Sequence, residues 1–214
     1  MERRRLCVVW LFLLLTLPGL PAGAADLHDR LTALVVKDDV AGIRALGPAV
    51  LPELARLYET SHEDRRTTIA GIFYQLGWRS PDAETVLLKD AHSTNPTLRV
   101  SVQYALGRVS NDPKVVETLI DIMRHDGNPV FRDKAACALA YDQLHLTGAQ
   151  KVLLYEKLID ALADPEPQVQ VIANQALFVL TGQRKGFHYL APPEQKRKSI
   201  EAWKRWLAEY RANL

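Results

Sequence analysis

NPVFRDKAACALA, from Asn128 to Ala140, is a turn that opens into a helix, with an arginine near its start and small residues along one face. Asparagine before proline supplies a side-chain cap, then a first-turn residue whose missing N–H costs nothing. The same order of hydrophobic residue, arginine, spaced small residues and leucine returns in weaker form three times. Upstream are NPTLRVSVQYALG (Asn95 to Gly107) and HEDRRTTIAGIFYQLG (His62 to Gly77); downstream is PEPQVQVIANQALFVL (Pro165 to Leu180). The arginine position is held by Arg66, Arg99, Arg132 and Gln170, at intervals of 33, 33 and 38. Phe73, Leu106, Leu139 and Leu177, seven residues on, keep the same intervals. A repeat of this length marks a solenoid, in which each unit buries its apolar face against its neighbours.

Periodicity makes the units helical. Leu98, Val102, Ala105, Leu106 and Val109 fall on one helix face, as do Val116, Leu119, Ile120 and Met123 in the next segment. Asn95-Pro96, Asn111-Asp112-Pro113, Gly127-Asn128-Pro129 and Asp164-Pro165 punctuate the chain where helices should start. No useful length alternates with period two, so no sheet is predicted. The expected fold is all-α: an α-solenoid of stacked antiparallel helix pairs with a C-terminal capping helix. Its expected divisions are a signal peptide at 1–25, capping helices at 26–60, repeats at 61–182, and a basic aromatic loop with a closing helix at 183–214.

These hydrophobic-Arg-x-x-Ala-x-x-Ala-Leu cores resemble HEAT repeats, especially the short bacterial kind grouped with the phycobilisome lyase repeats. In that family an aspartate about six residues before the arginine bonds the arginine of a neighbouring unit, forming a ladder. The resemblance implies such a structural role for Arg66, Arg99, Asp126, Arg132, Asp164 and Gln170. Asp126 stands six before Arg132, Asp164 six before Gln170, and Ser93 six before Arg99. Leu180 to Gln183, the loop Phe187-His188-Tyr189, the proline pair and a helix with two tryptophans resemble the terminal segment of exported bacterial HEAT proteins. Those often carry an acidic loop where this chain has Arg184-Lys185.

At the other end, three arginines within Glu2 to Arg5 precede a nearly unbroken apolar run, Leu6 to Leu17, and Ala22-Gly23-Ala24 follows. This is the order of a Sec signal peptide, with cleavage after Ala24 or Ala25. Twelve apolar residues fall short of the roughly 20 a spanning helix needs, and an uncleaved anchor is the alternative. Export would place the chain in the periplasm or outside the cell. Without residues 1–25 the chain is formally neutral, but unevenly so. Asp26 to Gly182 holds 16 Lys/Arg against 21 Asp/Glu, whereas Gln183 to Leu214 holds 8 against 3. No broad basic stripe marks it as a nucleic-acid binder.

Chemistry is hard to find in these residues. His92 and His125 sit 33 apart in equivalent turns, but adjacent units lie roughly 10 Å apart and zinc needs ligands at about 2.0–2.3 Å. Helix-end histidines are explained by the dipole. Asp38-Asp39 and Glu63-Asp64 fall in turns and caps, and Cys137 reads as a small buried apolar residue. The chain has no metalloprotease, nucleophile-elbow or phosphate-loop motif. No catalytic, cofactor or metal residue is expected. The expected function is an exported non-catalytic scaffold, monomeric outside a complex, holding a protein or peptide on its concave face, with no membrane span after cleavage. The alternatives are a bilin-lyase-like enzyme, suggested by family proximity, and an envelope module docking to anionic surfaces through its basic tail. Ile200, Trp203, Trp206, Leu207 and Tyr210 form one stripe of the closing helix, expected to cover the unit containing Val171, Leu177 and Val179.

Overall fold

The computed structural model describes residues 22–214, with side chains from residue 26. The arginine-rich start and apolar run of the expected signal peptide lie outside the described residues. Eleven α-helices and no strand occur among the described residues. They are α1 (Ala22–Val36), α2 (Val40–Ala45), α3 (Leu51–Thr60), α4 (Glu63–Leu76), α5 (Pro81–Lys89), α6 (Pro96–Val109), α7 (Pro113–His125), α8 (Pro129–Tyr141), α9 (Gly148–Ala161), α10 (Pro167–Thr181) and α11 (Pro193–Ala212). A single 3-10 turn at Pro48–Val50 leads into α3.

The starts follow local chemistry. Asn95 accepts from the N–H groups of Thr97 and Leu98, Asp112 from Lys114, and Asn128 from Val130, each with proline opening the helix. Thr147 and Gln150 form a capping box for α9. The Asp164-Pro165 signal lies ahead of its helix. The α10 helix begins at Pro167 behind Glu166, which makes no side-chain cap. The N-terminal cap also holds more than the pair read from Val40 onward, because α1 precedes it and buries Leu31 and Val35.

Packing divides the helices into two layers, so the architecture is an α-solenoid. The second helices α4, α6, α8 and α10 stack in sequence, while α3, α5, α7, α9 and finally α11 form the other layer. Contacts run unbroken through the second-helix layer, whereas α5 and α7 have little contact. The second helices thus form the more continuous of the two layers. One continuous core joins the units, from Leu31 through Phe73, Leu106 and Leu139 to Leu177 and Trp203. The closing helix α11 runs beside α9 rather than over α10. Tyr155 of α9 meets Trp206 and Tyr210 edge-on, with ring centroids 5.0 and 5.2 Å away. Leu177 is buried, but Val171, expected under the cap, is 42% exposed.

Candidate functional site

The arginines of the repeat sit where the units join. Arg66 donates to both oxygens of Asp90, at 3.0 and 2.8 Å. Arg99 pairs with the carboxylate of Asp126, and its guanidinium lies 4.3 Å from the centre of the Phe131 ring. Burial lowers the pKa of Arg99, yet the group remains a cation. Arg132 does not use the Asp126 carboxylate. It donates from Nη1 to the Asp126 main-chain oxygen at 2.9 Å and from Nε to Gln168 Oε1 at 3.1 Å. Gln170 repeats the first of these bonds, donating to the main-chain oxygen of Asp164 at 2.6 Å. The Asp164 carboxylate is taken instead by Arg124 of α7, at 2.9 Å. Each bond ties chain segments within or between units, which occupies these side chains without any ligand.

The 38-residue interval has a structural cause. The connection between α8 and α9, residues 142–147, folds back over the C-terminal ends of α6 and α4. His145 Nε2 lies 3.0 Å from the carbonyl oxygen of Gly77 and 2.8 Å from that of Arg108. Arg108 Nε donates to Asp142 at 2.8 Å, and Asp142 is only 3% exposed. Its carboxyl pKa is raised by burial, against the opposing pull of Arg108. Gly107 makes the approach possible: a Cβ there would lie 2.7 Å from Gln143 Nε2 and 2.9 Å from the Asp142 carbonyl oxygen. Neither the strap nor Asp90 was read from the sequence. A glycine inside α6 and the longer interval were the available signals.

In the second-helix layer a groove runs between α8 and α10, lined by Asp133, Cys137, Tyr141, Ile172, Gln175 and Val179 among others. It encloses about 100 Å³, well under the roughly 300–1,000 Å³ of small-molecule pockets. That size suits a side chain protruding from a larger partner. Tyr141 stands at its edge, 60% exposed. Further along the same layer, Tyr74 and Tyr104 lie 6.1 Å apart, and the Arg108 guanidinium covers the Tyr74 ring at 4.0 Å. Burial raises the pKa of the Cys137 thiol, with Asp133 adding to the shift. That is the wrong direction for a nucleophile. His92, in a turn, and His125, the last residue of α7, are both exposed. Among the described residues no three His, Cys, Asp or Glu side chains cluster as a metal site would require.

No protein-family model matches the chain, and no curated protein matches it.

Proposed function

We propose that this chain is an exported, non-catalytic scaffold that holds a protein or peptide against the face of its second helices. One observation carries the reading. The α8–α10 groove sets an exposed tyrosine, Tyr141, beside the apolar side chains of Ile172 and Val179 in the second-helix layer. Solenoids offer extended surfaces to partners, and an aromatic side chain beside a shallow apolar groove is a common anchor in interfaces. The resemblance of the repeat cores to HEAT units bears on the fold and not on the activity, since the residues that carry it are packing residues. The arginine-rich start, apolar run and Ala22-Gly23-Ala24 support export to the periplasm or beyond.

Site-specific photo-crosslinking in intact cells tests the binding face. A crosslinker at Tyr141 or Gln175 should capture one discrete protein, while one at Glu117, exposed on α7 of the other layer, should not. Capture from Glu117 alone, or from none of the three, would overturn the proposal. Mass spectrometry of fractionated cells tests export separately. The expected start is Ala25 or Asp26, and an intact Met1 form in the cytoplasm would end that part of the reading.

A further inference from the structure

The C-terminal end carries a second exposed surface, separate from the α8–α10 groove. After α10 the chain turns at Gly182 and comes back along α11, bringing Lys185 Nζ within 5.7 Å of the Trp203 ring centre. Gly186, at a φ of +71°, passes close to Ser199, and Phe187 is buried. A tight turn then precedes α11. The Leu190 N–H donates to His188 Nδ1 at 3.3 Å, and the Ala191 N–H donates to the His188 carbonyl at 3.0 Å. The His188 ring stacks on Tyr189 with centroids 5.4 Å apart. The turn is thus braced by its own bonds, and it projects Leu190, 72% exposed, and Tyr189, 37% exposed.

Cations follow this tip along the chain, in the first two turns of α11. Lys196 donates to the uncharged side chain of Gln170. Arg197 and Lys198 share one carboxylate, Glu194, at 2.6 and 3.8 Å, and both remain largely exposed. Glu201 also acts on Arg197, so two exposed cations share one bonded carboxylate and a second lies near. The wider segment from Gln183 to Leu214 keeps the same sign, with 8 basic residues against 3 acidic.

We propose that this end docks on a lipid bilayer bearing anionic headgroups, with Tyr189 and Leu190 entering the headgroup layer and Arg197 and Lys198 meeting its phosphates. A projecting tip with two apolar side chains cannot supply the roughly 800 Å² per partner of an ordinary protein interface. A bilayer demands no complementary shape. It accepts tyrosine at the headgroup level, and each Lys or Arg near an anionic leaflet adds roughly fivefold in affinity. The pairing of an apolar contact with surface cations is what interfacial binding requires.

Hydrogen exchange on the full chain tests this locally, which matters because Arg3 to Arg5 and the apolar run could also bind vesicles. Vesicles of phosphatidylcholine alone are compared with vesicles that also contain phosphatidylglycerol. Amides of residues 188–191 should slow with the mixed vesicles only, and the effect should fade as salt rises. Leu190→Ser should raise the lipid concentration needed by roughly tenfold, in keeping with loss of one buried leucine. Reversing both Arg197→Glu and Lys198→Glu should abolish the protection, while Lys114→Glu on α7 should leave it intact. All these side chains are exposed, and a circular dichroism melt checks that each variant is folded. Protection that is absent, or equal with neutral vesicles, would overturn the proposal. So would loss on charge reversal with no effect of Leu190→Ser, which would mark a site for an acidic protein or polymer instead.

Discussion

Asp90, just past the end of α5, binds Arg66 of α4 through both carboxylate oxygens, and one of those oxygens also accepts the Tyr58 hydroxyl at 2.6 Å. Three helices of two adjoining units meet at this carboxylate. Asp90→Ala leaves a wholly buried phenol and a mostly buried guanidinium without their acceptor. Breaking a buried pair from one side costs about 3–5 kcal/mol, and the partial exposure of Arg66 reduces this to about 2–4 kcal/mol. Asp90→Asn keeps one acceptor and should lose less. Urea denaturation of the two variants is the measurement. The phenol also sets an alkaline limit. Burial first, then Asp90, holds the Tyr58 proton well above its ordinary pKa of 10.0. The unfolded chain therefore releases that proton first, and stability should fall as pH rises past about 10. In Tyr58→Phe that part of the fall should vanish.

Gly107 predicts a reversal of sign. Replacing an interior helical glycine by alanine ordinarily stabilises by about 1 kcal/mol. Here the added methyl meets the main chain of Asp142 and the amide of Gln143. Gly107→Ala should instead destabilise by about 1–3 kcal/mol, as overpacking does. Proteolysis between residues 142 and 147 should speed up if the strap lifts to make room. A stabilised variant with an intact strap would refute the close approach.

Asp142 titrates in the opposite sense from a well-paired surface carboxylate. Its folded pKa is raised, with burial outweighing Arg108. The folded state therefore keeps the proton longer than the unfolded state does. Its contribution is fully present below the unfolded value near 3.8 and is lost as pH rises through the higher folded value. Asp142→Asn preserves an oxygen for Arg108 and removes the charge. Its stability relative to the parent should improve between pH 4 and pH 7, measured by denaturant unfolding at both. A constant difference across that window would mean that Arg108 fully offsets the burial.

The units and helix starts were legible because they are written locally. Proline after Asn95, Asp112 and Asn128 marks a start within a few residues, and the spacing of Leu98, Val102 and Leu106 marks a buried face. Partner choice is not local. Counting six residues back from Arg99 finds Ser93, yet the carboxylate that binds Arg66 is Asp90, placed by how α5 ends. His145 reaches 68 residues back to Gly77, and no nearby pattern encodes such a path. The candidate binding groove was legible only as a face. Small residues such as Ala136 and Ala140 line it because they let helices approach, so the sequence signal for packing hides the groove they leave. The same limit applied to the closing helix: its apolar stripe was visible, but its choice of α9 over α10 depends on Tyr155, whose role needs three dimensions.

That stripe gives the last prediction. Trp203 is 0% exposed, and its ring meets Trp206 edge-on with centroids 5.4 Å apart. Tyr210, one turn on, donates its hydroxyl to the Gly148 carbonyl at 3.2 Å, which ties α11 to the start of α9. Trp203→Ala should cost about 3–5 kcal/mol, the range for large aromatic truncations in cores. The indole N–H makes no hydrogen bond within the protein, and an unsatisfied buried donor carries a penalty of about 1–3 kcal/mol. Trp203→Phe removes that donor together with part of the ring. Relief of the penalty and loss of packing then oppose each other, so this variant should stay within about 1.5 kcal/mol of the parent. Guanidinium unfolding compares the three proteins. An alanine variant that loses less than about 1 kcal/mol, from a native state whose tryptophan emission is already water-like, would mean that the stripe is not buried against the stack. A phenylalanine variant as damaged as the alanine one would mean that the indole N–H finds an acceptor.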